Sequence, residues 1–234
     1  MALRKLLITL TATALLAGCG GDSTASGDAP SSTALSNTLQ VVPYDGLQPV
    51  EIYKLVRTSV RKADSVRVRM ESENAGAVLS TDLRLDRDGS ATGSVSPTDD
   101  QQVELLKVGD DAWFKGDQDF LDAYGVKGAQ PEGEWRAITA KSPVAGFLTY
   151  TEIPFYTDTL LKLSRSEMSG LRQVDGQEFD GRLAIGLQTE DEALTLYASA
   201  DGEAELVGYR SDEITYTFSD WDEPVGAEAP GTDG

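Results

Sequence analysis

Residues 65–71 read Ser-Val-Arg-Val-Arg-Met-Glu, and residues 79–86 read Leu-Ser-Thr-Asp-Leu-Arg-Leu-Asp. In both stretches apolar and polar side chains alternate with a period of two residues. This period is typical of β-strands with one buried and one solvated face. Asp88 and Gly89 then form a tight-turn dipeptide that leads into further alternating residues. The alternation therefore predicts antiparallel strands joined by hairpins.

The same pattern continues through most of the chain and predicts about nine strands, which are many for a flat sheet. We therefore expect an α+β fold built on a strongly curled antiparallel sheet, an open half-barrel whose concave face is covered by helices. An amphipathic helix is predicted from Pro49, and two shorter helices at 117–124 and 153–163. Further strands are predicted at 102–108, 112–115, 179–187, 194–198, 205–210 and 214–218, with a short extended piece at 134–138.

The first residues have the features of an export signal. Arg4 and Lys5 precede an apolar run of signal-peptide length, and Leu16-Ala17-Gly18 precedes Cys19, the one cysteine in the sequence. This arrangement resembles the bacterial lipobox, in which the cysteine thiol receives a diacylglyceryl group and the preceding peptide is removed. The resemblance implies an extracytoplasmic lipoprotein that is anchored to the cell membrane through Cys19. The alternative is an ordinary secretory signal that ends near a cysteine.

Composition divides the chain into four segments. We predict a signal peptide at 1–18, a lipidated cysteine and flexible tether at 19–40, a folded domain at 41–222 and a disordered tail at 223–234. The chain carries 20 Lys and Arg against 39 Asp and Glu, a net charge of −19. Without residues 1–18 the basic count falls to 18 and the charge to −21. Such a surface repels phosphate, which argues against a nucleic-acid partner.

Several kinds of chemistry lack the residues they need. The sequence contains no histidine, which removes the most common general base and the most common transition-metal ligand. With Cys19 lipidated, no thiol nucleophile remains. We therefore predict no catalytic residue, no metal site and no cofactor. An enzyme that uses a pair of carboxylates remains an alternative, although no acid pair stands out in the sequence.

Two short motifs carry a resemblance to a known family. Residues 108–117 read Val-Gly-Asp-Asp-Ala-Trp-Phe-Lys-Gly-Asp, and residues 133–138 read Gly-Glu-Trp-Arg-Ala-Ile. Together with the order of lipobox, tether, helix and curled sheet, they resemble the actinobacterial LppX/LprA/LprF/LprG-type lipoproteins, whose fold is similar to that of the LolA and LolB carriers. The resemblance spans roughly residues 48–222. It implies a cavity between sheet and helices that holds acyl chains of a lipid, glycolipid or lipoprotein.

The concave face supplies the candidate ligand-binding residues, since burial of each methylene contributes about 0.8 kcal/mol. An ordinary filled core would use the same side chains, in which case the protein would act through its acidic surface as an interaction or structural lipoprotein. The sequence does not set the oligomeric state. The candidate residues are Val66, Val68, Met70, Leu83, Leu85, Val103, Leu105, Leu183, Ile185, Leu196 and Tyr216, with Phe155 and Leu160 from the cover; Ile214, Phe147, Leu148, Ile153 and Leu161 complete the apolar set.

Overall fold

The structure is a computed structural model that describes residues 44–74, 77–126 and 133–231, with the side chains of 73, 74, 77 and 78 left aside. The predicted signal peptide, Cys19 and the tether lie outside the described residues and stay predictions. The described residues form eleven strands in a single antiparallel sheet, two more than expected. The strands are β1 (Ser65–Asn74), β2 (Ala77–Asp86), β3 (Ala91–Thr98), β4 (Gln101–Val108), β5 (Asp111–Gly116), β6 (Arg136–Ala137), β7 (Arg172–Phe179), β8 (Arg182–Gln188), β9 (Leu194–Ser199), β10 (Leu206–Ser211) and β11 (Ile214–Ser219).

The sheet consists of two series of hairpins that are joined in its middle, where the first strand pairs with the last. Its order is β6-β5-β4-β3-β2-β1-β11-β10-β9-β8-β7, so β1 pairs with β11 and the edges β6 and β7 stay apart. One hydrophobic cluster contains Phe114 near one edge and Leu187 near the other. The α+β class is confirmed, and the unclosed sheet is consistent with a curled half-barrel.

The helices are few and mostly short. The predicted amphipathic helix is present as α1, and the predicted piece at 117–124 is present as α2. The helix expected at 153–163 is divided into a single α-turn and a π-helical turn. The helical elements are α1 (Pro49–Lys62), α2 (Gln118–Ala123), the 3₁₀ segment Ala145–Thr151, α3 (Ile153–Phe155), the π-turn Tyr156–Leu160 and α4 (Arg165–Ser169).

Helix α1 is fixed at both ends. Pro49 occupies the first turn, and the Gln48 backbone N–H donates to Glu51 Oε2 at 2.8 Å, which satisfies a donor at the helix start. At the other end the Arg87 guanidinium, from the β2–β3 turn, donates to the carbonyls of Arg61 and Ala63. Hydrogen bonds to side chains therefore stabilise both ends of the helix. Its buried face consists of Ile52, Tyr53, Val56 and Val60.

Strand β8 departs from the expected one-sided pattern. Ile185 and Leu187 belong to the main cluster, while Ala184, the residue before Ile185, belongs to a second cluster with Phe179, Tyr197 and Val207. Because successive strand residues point to opposite faces, this second cluster lies on the convex side. The β8 end of the sheet is therefore apolar on both faces.

Candidate functional site

Strand register arranges the predicted concave residues in rows that cross the sheet. In the middle row each member is the Cα partner of the next, and it contains four of the predicted residues. The row deeper toward the start of β1 contains three more. The middle row is Val103, Val95, Thr81, Met70, Tyr216, Tyr209, Leu196 and Leu187; the deeper row is Phe114, Leu105, Gly93, Leu83, Val68 and Phe218.

Ten of the thirteen candidate residues are buried together as expected. None of the ten is more than 4% exposed, and all belong to one hydrophobic cluster. Phe155 and Leu160 lie in the irregular helical segment 145–163, hereafter the cover, where they are half-buried and pack against the same cluster. The sheet and its cover are therefore in close contact in this conformation. The ten are Val66, Val68, Met70, Leu83, Leu85, Val103, Leu105, Ile185, Leu196 and Tyr216.

The expected burial of Leu183 was wrong: its side chain is 70% exposed. The sequence pattern predicts one strand over 179–187, but Asp180 and Gly181 adopt φ values of 50° and 74° and turn the chain between β7 and β8. Such a two-residue turn with two positive φ values is the favoured hairpin connection, and Asp-Gly suits it. Leu183 thus lies one residue into β8, opposite Glu178.

A half-exposed row forms a rim at the end of the concave face where β1 ends. Ser72 is the Cα partner of both Leu79 and Ile214, and Leu194 is the partner of Ser211 in β10. All five side chains are half-buried, whereas most of the middle row beneath them is buried. Leu79 and Leu194 were not among the predicted ligand-binding residues. Each nevertheless lies on the same face of its strand as residues that were predicted.

Aromatic side chains from the cover contact the middle and deeper rows of the concave face. Tyr150 and Phe155 contact edge to face with centroids 5.6 Å apart, and Phe155 contacts Tyr156 at 5.1 Å. Tyr156 in turn packs against Tyr216 at 5.9 Å and Phe218 at 6.1 Å. This aromatic bridge joins the irregular cover to the sheet.

Buried tyrosine hydroxyls occupy this bridge. The Tyr156 hydroxyl donates to the Tyr150 carbonyl at 2.8 Å. Burial raises the pKa of Tyr156 strongly and that of Tyr216 to about 12. Both phenols are therefore neutral at neutral pH, and the Tyr156 hydroxyl serves as a hydrogen-bond donor in an apolar site.

Tyr53 holds the cover to α1. Its hydroxyl donates to the Leu161 carbonyl at 2.6 Å and accepts from the Leu163 N–H at 3.3 Å. On the exposed side Arg61 pairs with Asp158 at 3.2 Å, a contact of small energetic value. The buried phenol of Tyr53 is therefore the more important of the two attachments.

The convex face is charged rather than apolar near β1 and β2. Arg67 Nε and Nη2 donate to the two Asp82 oxygens at 2.8 and 2.6 Å, and Arg84 Nη2 donates to Asp220 at 2.8 Å. The hydrogen bonds from Arg67 hold the pKa of Asp82 below its ordinary value. The two faces of these strands therefore have opposite character.

Within residues 44–74, 77–126 and 133–231, no group of three or more acidic, histidine or cysteine side chains could hold a metal ion. In the same residues no helix is long and apolar enough to cross a membrane.

Comparison with solved structures supports the fold. LprF from Mycobacterium bovis aligns with a TM-score of 0.54 and 12% identity over 78% of this chain and 96% of that one. Lipoprotein LppX from Mycobacterium tuberculosis aligns with a TM-score of 0.50 and 17% identity over 77% of this chain and 98% of that one. At these identities the likeness establishes an LppX/LprF-like fold and nothing about ligands. No protein-family model and no curated protein matches the sequence.

Proposed function

We propose that this chain is a non-enzymatic cell-envelope lipoprotein, anchored through Cys19, that binds or shuttles an acylated ligand between its sheet and helical cover. The lipobox-like Leu16-Ala17-Gly18-Cys19 supports the anchor. The LppX/LprF-like fold supports the class, since LppX is itself a lipoprotein.

The single observation that carries the ligand proposal is the construction of the cover. The concave face is apolar across many strands. The cover that packs on Tyr216, however, consists only of a 3₁₀ segment, one α-turn and a π-turn. Short irregular helices have few internal hydrogen bonds to lose when they shift. Displacement of residues 145–163 would expose an acyl-sized surface, and each methylene that replaced the cover would contribute about 0.8 kcal/mol.

The full burial of the predicted lining supports a second candidate function. Leu83 and Leu85 are 0% exposed, as expected of a permanently filled core. In that case the cover is structural, and the protein works through its acidic surface by contacting an envelope partner. The two candidates differ in whether the domain takes up lipid.

Native mass spectrometry of residues 19–234 with Cys19 replaced by serine, produced in a lipid-containing host, separates them. A carrier gives adducts of acyl-lipid mass or takes up added lipid. Leu79→Trp at the rim should abolish the adducts, whereas Leu183→Trp, at an exposed site away from the rim, should leave them. A single ligand-free mass together with no uptake of added lipids would reject the carrier and favour the filled core.

A further inference from the structure

Thr81 is a polar exception in the apolar concave face. It lies in the middle row of β2, opposite Met70 on one side and Val95 on the other. Leu83 follows it on the same face toward the deeper row. The residue is 5% exposed, so its hydroxyl has no access to bulk water.

The Thr81 hydroxyl has no hydrogen-bond partner among the described residues. Other buried hydroxyls do have one: Thr151 Oγ1 donates to the Leu148 carbonyl at 2.7 Å, and Thr189 Oγ1 donates to Asp191 at 2.7 Å. Ser199 Oγ is also unpaired, but it alternates with the core residue Ala198 and so faces the convex side. Thr81 therefore presents an unpaired donor on the concave face itself.

An unpaired buried hydroxyl destabilises a protein because its hydrogen bonds to water are lost and not replaced, and valine would fit the same space without that penalty. A partner that arrives with a ligand removes the penalty. The three nearest row and strand neighbours, Met70, Val95 and Leu83, have no oxygen or nitrogen in their side chains. Since no described residue supplies an acceptor either, the acceptor would have to come from a ligand that enters between sheet and cover.

Depth limits which oxygen this can be. Leu79 belongs to the half-exposed rim, and Thr81 is two residues further along the same face of β2. Two strand residues span about 7 Å. An oxygen at that depth lies close to the polar end of a lipid, where an ester carbonyl joins the acyl chain to its head group.

We propose that Thr81 Oγ1 donates a hydrogen bond to the ester carbonyl of an acyl-ester lipid bound on the concave face. This inference rests on the proposed carrier function and names its ligand class. Burial of the methylenes of the lipid contributes affinity but does not distinguish an ester-linked chain from an ether-linked one. The Thr81 hydroxyl would favour the ester-linked chain.

The test compares two lipids that differ only in the carbonyl, 1-monopalmitoylglycerol and its ether analogue 1-O-hexadecylglycerol, by calorimetric titration of residues 19–234 carrying Cys19→Ser. Wild-type Thr81 should bind the ester about fivefold more tightly, the factor that one neutral hydrogen bond contributes. Thr81→Val should bind both lipids equally, with its ether affinity unchanged, and Thr81→Ser should restore the preference. An ester preference that survives in Thr81→Val overturns the inference while leaving the carrier function intact.

If the wild type binds neither lipid nor any other added acyl lipid, the carrier function fails and the inference with it. A second measurement needs no ligand. Thr81→Val should unfold at the same or a higher denaturant concentration than the wild type, since it removes an unpaired polar group. A clear loss of stability would show that the hydroxyl already has a partner in the folded protein, and would overturn the inference independently.

Discussion

Leu83 and Leu183 carry the same side chain in opposite surroundings. Leu83 is 0% exposed in the deeper row of the concave face, whereas Leu183 is 70% exposed beside the β7–β8 turn. The alternation pattern places both leucines on the inward face of their strands, so the two sites differ mainly in burial. The pair therefore isolates what the concave core contributes to stability.

We expect Leu83→Ala to lower the free energy of unfolding by about 2–5 kcal/mol through lost burial and a residual cavity. Leu183→Ala should change it by less than about 0.5 kcal/mol. Urea denaturation of both variants beside the wild type measures the difference. Equal losses in the two variants would contradict the assignment of Leu183 to the surface.

Asp82 predicts a pH dependence on the convex face. Its pKa is lower in the folded protein than in the unfolded chain, because Arg67 hydrogen-bonds the ionised carboxylate. Its contribution to stability is therefore present above the unfolded pKa of about 4 and is lost as pH falls through the lower folded value.

Asp82→Asn should accordingly be less stable than the wild type at pH 6, and the difference should shrink toward zero as pH falls below about 3. Denaturant midpoints measured between pH 6 and pH 2.5 give this difference. Asp99→Asn, in the exposed β3–β4 turn, is the matched control and should show little difference at any pH. A constant deficit in Asp82→Asn would show that Asp82 acts through packing rather than charge.

Among the elements, the cover differs from the sheet in how it is attached. Sheet strands are held by ladders of backbone hydrogen bonds, while residues 156–163 depend on the buried Tyr53 phenol and the aromatic contacts of Tyr156. Tyr53→Phe removes both hydrogen bonds and little volume. The variant should therefore loosen the cover selectively.

Hydrogen–deuterium exchange measures this selectivity. In Tyr53→Phe we expect exchange in peptides covering 156–163 to accelerate several-fold, while peptides from β1 and β11 keep wild-type rates. Equal acceleration in the β1 peptide would mean that the cover and sheet open as one unit. That result would count against a movable cover.

Most of the sheet could be predicted from sequence because alternation and turn dipeptides are local signals. Val66, Val68 and Met70 share a face by parity alone, and the structure confirms their burial. The missed strand β7 has weaker alternation and a bulge between Val174 and Gln177, which hides its period. Asp180-Gly181 did carry the signal for the missed hairpin.

The rim and the cover were harder to predict for a different reason. Whether Leu79 is half-exposed and Leu83 fully buried depends on where residues 145–163 lie, which is a long-range packing result. The π-turn at Tyr156–Leu160 likewise breaks a helical pattern that its apolar spacing favours. Thr81 could be placed on the inner face by parity, but its lack of a partner is visible only in three dimensions.

At the scale of the whole molecule, the negative net charge and the proposed lipid anchor have opposite effects on attraction to a membrane surface. If residues 1–18 are removed as proposed, the remaining charge of −21 would repel anionic lipid head groups over about one Debye length, roughly 8 Å at physiological salt. Under the proposed anchoring, attachment would come from the acyl chains on Cys19.

Metabolic labelling with an alkyne fatty acid in a bacterial host tests this arrangement directly. We expect the wild-type precursor to yield a labelled product that begins at Cys19 and carries a diacylglyceryl group, measured by intact mass. Cys19→Ala should carry no label and keep residues 1–18, since the thiol that is modified before cleavage is gone. Gly20→Ala is the matched control and should be labelled normally. Persistent labelling of Cys19→Ala, or an unmodified mature wild type, would instead indicate an ordinary secretory signal and a domain released from the membrane.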